Sequence, residues 1–426
     1  MRSPIPDYLT EVLDTCTADV SGTVADYIPE LAAADPDRFA VALVTADGTV
    51  YSAGDTEHAF SIQSISKPFV YGMALDRLGF DAVLEKIDVE PSGEAFNEIS
   101  LEHDSGRPLN PMINAGALTA HALLSDDASP HARGEQVRSL FSDLAGHDLA
   151  IDERVAASEL TTTYRNIAIA NLLRSYEVFF DDPEDVVAGY VRQCSVSVTV
   201  TDLAMMAGTL ANGGIQPRTG ARVFSRPTVR QVLSVMATCG MYDAAGDWLT
   251  TVGIPAKSGV SGGIIGILPG QLGIAVFSPR LDRHGNSARG VVAFERLSHD
   301  MNLHLMDAPM VAHSVLRRRE ILGEEPEAVT VLELQGDIQF TNAETVVRAV
   351  VDEPVTTRRV ALDLTFVHSV LPVGRRMILE VLRRLLLDGH DVTLIDPDEH
   401  LPDPDVGDGR RPDVHRSVDD LLAASA

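Results

Sequence analysis

Lysine is nearly absent from this chain of 426 residues: of 34 basic residues only Lys67, Lys86 and Lys257 are lysines, and the other 31 are arginines. Cysteine is as scarce. Cys16, Cys194 and Cys239 are odd in number and far apart, with no C-x-x-C pair. That gives neither a disulfide framework nor a zinc site, and fits a reducing compartment. No apolar run approaches the roughly 18 residues that cross a bilayer. Met1-Arg2-Ser3-Pro4-Ile5-Pro6-Asp7 opens no apolar secretory segment. A cytoplasmic protein without membrane insertion is expected. The 13 histidines include no H-E-x-x-H and no close cluster, so no metal and no cofactor are assigned.

Acid is plentiful. Asp and Glu number 62, the formal net charge is −28, and that argues against nucleic acid or an anionic membrane as partner. The excess reads mainly as background, from genome composition or a salty cytoplasm. With 45% apolar residues the chain can bury a core, and its length suggests two or three domains.

Periodicity divides the chain. Residues 1–310 carry long helical patterns and Gly-rich turns. Residues 311–326, with Arg317-Arg318-Arg319-Glu320 and Gly323-Glu324-Glu325-Pro326, read as a charged linker, and 327–426 as short alternating elements. In the first segment 38–44 and 49–53 read as a hairpin around Ala46-Asp47-Gly48. Helical spacing marks 64–78 and stretches near 114–125, 134–145, 165–180, 200–211, 227–238 and 290–305. Strands are expected at 253–259, 264–268 and 272–278. Early and late strands around helices imply one α/β domain whose sheet joins both ends, with a helical insertion. The last segment reads strand 329–334, helix 342–351, strand 360–364, helix 373–387, strand 392–395: a small α/β sandwich. It holds 10 basic and 19 acidic residues from 326 onward. From Asp396, Asp, Pro and Gly accumulate, and a partly disordered acidic tail is expected up to an apolar end at 418–424.

The sharpest chemical signal is Ser64-Ile65-Ser66-Lys67. On a helix, residues i and i+3 share a face, so the Ser64 hydroxyl and Lys67 amine can meet. Serine needs a base within hydrogen-bond reach, and lysine serves only when neutral, which burial or a second cation favours. Lys257, in Lys257-Ser258-Gly259, could be that cation. With three lysines, chance supplies roughly 0.2 S-x-x-K matches and roughly 0.03 K-[ST]-G matches. Ser66 is the weaker nucleophile candidate, since next to Lys67 it points elsewhere. Lys86 has no motif, and Asn212-Gly213-Gly214 reads as a helix stop.

Gln63-Ser64-Ile65-Ser66-Lys67-Pro68, Asn110-Pro111-Met112-Ile113-Asn114-Ala115-Gly116-Ala117, Cys239-Gly240-Met241-Tyr242-Asp243 and Lys257-Ser258-Gly259-Val260-Ser261-Gly262-Gly263 together resemble the serine-dependent glutaminases. The resemblance runs from about residue 20 to 308. It implies a β-lactamase/penicillin-binding-protein-like fold, an antiparallel sheet plus a helical subdomain, that hydrolyses L-glutamine to L-glutamate and ammonia. Ser64 then corresponds to the nucleophile, Lys67 to its base and Tyr27 to a tyrosine over the reacting amide. Asn114, Glu159, Asn166 and Tyr190 correspond to residues holding the substrate's α-amino and α-carboxylate groups. Tyr242 corresponds to an active-site tyrosine, and Val260 to a backbone N–H that shares an oxyanion hole with that of Ser64. Lys257, Ser258 and Gly259 support the site. The resemblance also implies a homodimer or homotetramer.

Residues from about 328 to 400 resemble the sulphate-transporter and anti-sigma-factor-antagonist (STAS) domain, through Leu332-Glu333-Leu334-Gln335-Gly336-Asp337-Ile338, Asp363-Leu364-Thr365-Phe366-Val367 and Gly389-His390-Asp391-Val392-Thr393. That implies a regulatory module binding a protein or small ligand. The stretch matching that family's phosphorylated turn reads Leu371-Pro372-Val373-Gly374, without serine, which argues against a phosphorylation switch there. Two other readings stand beside the hydrolase: a β-lactamase or peptidase relative, against which the absent S-D-N element and export signal count, and a glutamine sensor serving the C-terminal module.

Overall fold

The structure, a computed structural model, describes residues 5–94, 98–124, 129–307, 315–324, 326–338, 340–407 and 409–423. It divides into two compact units, Met1–Asp307 and Ala308–Ala426.

In the first unit an early hairpin is completed by three late strands. The antiparallel sheet runs Val50–Gly54, Ala40–Thr45, Leu272–Phe277, Gly263–Leu268, Ala256–Ser258. Strand alternation sorts its side chains: Ala40, Ala42, Val44, Ile265, Ile267 and Ala275 face one cluster, and Val41, Leu43, Ile264, Ile274 and Val276 the other. The helix Val200–Ala211, apolar almost all round, covers the first face and is buried along nearly its whole length. Gly273 permits this close approach, because a Cβ there would lie 2.2 Å from the Gly208 backbone nitrogen. The second face is covered by Ala288–Met301 and by Ile5–Cys16, whose Leu9, Val12, Leu13 and Cys16 form one helical stripe. Each fully buried Leu or Val stabilises these layers by about 1.5–3 kcal/mol.

Between the early and late strands lies the helical layer: Asn114–Ala122, Pro130–Ala145, Glu153–Leu160, Tyr164–Ser175 and Pro183–Cys194. A short sheet of Phe60–Ser61, Val196–Val198 and Ala150–Ile151 leads into it. Three helices of eight or more residues escape the sequence reading: Ile5–Cys16, Glu153–Leu160 and Pro183–Cys194. The last two begin at aspartate caps, Asp152 accepting from the Arg154 and Val155 amides and Asp182 from the Glu184 amide. The helix expected over 165–180 stops at Ser175, and the strand expected over 253–259 narrows to Ala256–Ser258. The segment 64–78 is two elements, a 3-10 turn Gln63–Ser66 followed by the α-helix Lys67–Leu78. Pro68 explains the division, because proline suits a first helical turn and supplies no N–H to a longer one.

The second unit is a five-stranded sheet in the order Asp413–His415, Asp391–Ile395, Arg359–Val370, Val329–Ile338, Leu316–Leu322. The first three pairings are parallel and the last antiparallel. Helices Phe340–Asp352 and Pro372–Leu387 connect the parallel strands. One expectation is corrected here. The stretch read as linker supplies the edge strand Leu316–Leu322; its arginines do not signal solvated coil because they are paired. Arg317 donates to Glu333 at 2.6 Å, Arg318 at 3.3 Å, and Arg319 to the Glu353 carbonyl at 2.6 Å. Charged side chains also suit an edge strand. Residues 311–314 and 325 of that stretch lie outside the described residues. The acidic tail contributes the strand Asp413–His415 and, at its apolar end, the helix Val418–Ala423. Leu421 of that helix is buried against Val329, Val331, Ala361 and Ile395. Ala424 lies outside the described residues. No helix among the described residues is long and apolar enough to cross a membrane.

Candidate active site

The turn Gln63–Ser66 sits where the short sheet meets the helical layer. Gln63 has φ +50° and Tyr242 φ +57°, both in the left-handed region that costs a non-glycine residue on the order of 1–2 kcal/mol. Each is held by side-chain bonds. Gln63 Nε2 donates to Glu159 at 2.7 Å and to Ser61 Oγ at 3.2 Å. Lys257 Nζ donates to Tyr242 Oη at 2.6 Å and to the Ser258 carbonyl at 2.7 Å. Gly240 lets this loop meet the strand bearing Lys257; a Cβ there would lie 1.8 Å from the Ala256 carbonyl oxygen.

Ser64 and Lys67, three apart across a 3-10 turn, lie on one edge of it. Lys67 is buried, and its Nζ donates to Asn114 Oδ1 at 2.8 Å. Burial brings its pKa down to about 7, with Cys194 acting in the opposite sense. Lys257 is driven well below the usual lysine range, first by burial and then by the charge of Lys67. The sequence reading gave Lys257 the task of depressing Lys67; here burial does that, and the repulsion falls on Lys257. Tyr242 is hydrogen-bonded with Ser64, and burial raises its pKa, so it is a neutral phenol between Ser64 and Lys257.

In front of Ser64 opens a cavity of about 300 Å³. It is lined by Tyr27, Asn114, Glu159, Asn166, Tyr190 and Val260 together with Gln63, Thr162, Thr163, Arg165 and Cys194. Glu159, on the helix Glu153–Leu160, is buried. Burial raises its pKa, while hydrogen bonds from Gln63 and from the half-exposed Tyr27 at 3.2 Å oppose that rise. Asn114 Nδ2 donates to Asn166 Oδ1 at 3.0 Å, so one amide spans dyad and cavity wall. Tyr190 is buried deep in the wall and its pKa is raised by desolvation. A larger cavity of about 590 Å³, lined by Leu210, Leu233 and Leu305, contains no nucleophile–base pair, so size alone does not mark the site.

Thus Tyr27, Ser64, Asn114, Glu159, Asn166, Tyr190 and Val260 line one cavity, with Lys67, Tyr242 and Lys257 packed behind Ser64. Ser258 and Gly259 carry the chain from Lys257 to Val260, and a Cβ on Gly259 would lie 3.1 Å from the Ile62 carbonyl oxygen. Ser66 is absent from the cavity lining and fully buried. Sequence reasoning missed Gln63 and Cys194. Gln63 opens the motif that contains Ser64, a position that could have flagged it; Cys194 carries no such signal. Among the described residues no group of three His, Cys, Asp or Glu could hold a metal ion.

The Glutaminase family model matches residues 22–306. The chain is 49% identical over 412 residues to a Glutaminase of Corynebacterium efficiens, covering 96% of each. It is 46% identical over 309 residues to a Glutaminase of Trichormus variabilis, covering 72% of this chain and 92% of that one. A crystal structure of Mglu superposes with a TM-score of 0.84 at 50% identity, covering 94% of this chain and all of that one. A probable glutaminase from Bacillus subtilis, complexed with 6-diazo-5-oxo-L-norleucine, gives 0.66 at 31%, covering 72% and 98%. With half or more of its residues matched by the family model and full-length relatives near 50% identity, the chain belongs to the glutaminase family of amidohydrolases.

Proposed function

We propose that the chain hydrolyses L-glutamine through a Ser64–Lys67 dyad and a γ-glutamyl ester. Neutral Lys67 takes the Ser64 proton as Oγ adds to the side-chain amide carbon. The oxyanion is stabilised by the backbone N–H groups of Ser64 and Val260. The proton that Lys67 took passes to the amide nitrogen, directly or relayed through Tyr242, the C–N bond breaks and ammonia leaves. Water then gives a proton to Lys67 and adds to the ester, glutamate departs, and Ser64 recovers its proton. Glu159 faces the substrate ammonium, while Asn114, Asn166 and Tyr190 serve its α-carboxylate and Tyr27 lies over the amide.

The observation that carries this reading is the buried Lys67, held at 2.8 Å by Asn114 behind a serine that lines the cavity, with a buried carboxylate in the same cavity. Purified protein should release ammonia from glutamine, more slowly from asparagine, and Ser64→Ala should abolish both. Normal turnover by Ser64→Ala would remove the scheme, and nitrocefin hydrolysis would favour the β-lactamase reading.

The second unit we read as a STAS-like regulatory or partner-binding module. Its strand–helix alternation with parallel pairing supports this. The Trichormus relative, matched over a length close to that of the first unit, supports hydrolysis without it. A protein of residues 1–307 should keep kcat within about threefold.

A further inference from the structure

Ser66, left over by the mechanism, ends a buried polar chain. Gln193 Nε2 donates to Ser66 Oγ at 3.0 Å, and His121 Nδ1 lies 2.9 Å from Gln193 Oε1. All three residues are fully buried. Because the Gln193 carbonyl only accepts, His121 must carry its proton on Nδ1. Its Nε2, buried without a partner among the described residues, faces Gly189, where a Cβ would lie 2.4 Å away. Burial and the nearby Arg133 bring the His121 pKa down to about 4, so the ring stays neutral and the bond order fixed.

Placement gives this chain its meaning. His121 lies two helical turns beyond Asn114 on Asn114–Ala122, and Gln193 one turn beyond Tyr190 on Pro183–Cys194. Each helix therefore sends one residue to the cavity and one to the relay. Asn114 grips Lys67 while Gln193 grips the residue just before it. A shift of Ser66 would move the dyad on both sides of it, and a misplacement of about 1 Å can cost a hundredfold in rate.

We propose that His121, Gln193 and Ser66 form a positioning relay that locks the strained turn bearing Ser64 and Lys67 onto the helical layer, aligning nucleophile and base before substrate enters. The proposal rests on the Ser64–Lys67 reading. Gln193→Met and His121→Leu should lower kcat for glutamine at least roughly tenfold with KM within about threefold. His121→Asn, which keeps a donor near the place of Nδ1, should retain kcat within about threefold. If the larger changes prevent folding, Ser66→Ala removes the acceptor with little loss of volume and is expected to give the same split. Unchanged kcat in the folded variants, or loss in His121→Asn equal to that in His121→Leu, would overturn the relay. Nitrogen-15 NMR reads it independently of turnover: His121 should be the Nδ1–H tautomer, and an Nε2–H tautomer overturns it. A wild type inert towards glutamine but showing the Nδ1–H tautomer would instead count against the proposed reaction and leave the relay supported.

Discussion

The two ends of the cavity bury charge among different partners. At the Ser64 end, Lys67 and Lys257 are buried against neutral partners, Asn114, Tyr242 and a backbone carbonyl, and burial drives both toward the neutral amine. At the other end Glu159, also buried, receives two donors that favour its charged form, one of them from the half-exposed Tyr27. Desolvation makes a base in the first case; in the second it still raises the carboxyl's pKa, and the two donors only reduce that rise. Changes at the first end should therefore act on kcat, and at the second on KM.

The largest effect should come from Lys67→Arg. Arginine keeps the positive charge and cannot accept a proton, so kcat should fall roughly 10³-fold, within the range of a lost general base, with KM nearly unchanged. Steady-state kinetics on glutamine checks this, and an active Lys67→Arg would erase the distinction between the two ends. Next is Glu159→Gln. Losing a charged partner for the substrate ammonium should raise KM roughly 10- to 100-fold, the equivalent of about 1.5–3 kcal/mol, and leave kcat within a few-fold. A fall in kcat at constant KM would place Glu159 in the chemistry instead.

How much of this could be read from residues alone follows the same division. The dyad was legible because lysine is so rare that Lys67 and Lys257 stood out in their motifs. The sheet was legible because apolar runs separated by Gly and Pro leave few alternatives. Gln63 was not, since its role depends on a left-handed backbone and on Glu159, 96 residues away. Nor was the edge strand Leu316–Leu322: Arg317 and Arg318 look like solvated coil until Glu333 is set opposite them. Local pattern reveals periodicity and rare residue types; it does not reveal which distant acid neutralises which arginine.

A smaller effect concerns pH. With Lys67 near 7, kcat/KM should rise through about pH 7 as the amine loses its proton, then level off. A pH–rate profile flat from 6 to 8 would remove Lys67 as the titrating base. Lys67→Arg, measured where activity remains, should lack that limb.

The smallest expected effect is one of stability, and it sharpens the comparison most directly. Unfolded, Lys67 titrates near 10.5; folded, near 7. Between these values the unfolded chain holds one more proton, so stability rises with pH across that window, and below pH 7 the full penalty is present. A tenfold change in proton affinity corresponds to about 1.4 kcal/mol. Lys67→Met removes that penalty but leaves Asn114 Oδ1 without its donor, a loss of about 1–3 kcal/mol. The net result should be an inactive enzyme stabilised by about 2–4 kcal/mol at pH 6 and by less at pH 9, read from urea unfolding at both. At Glu159 the bonds from Gln63 and Tyr27 reduce the rise in pKa that burial causes, and Glu159→Gln weakens both bonds, so it should bring a smaller gain at pH 6. Equal pH dependence in Lys67→Met and wild type would mean that Lys67 is not held neutral by burial, and the contrast between the two ends would collapse.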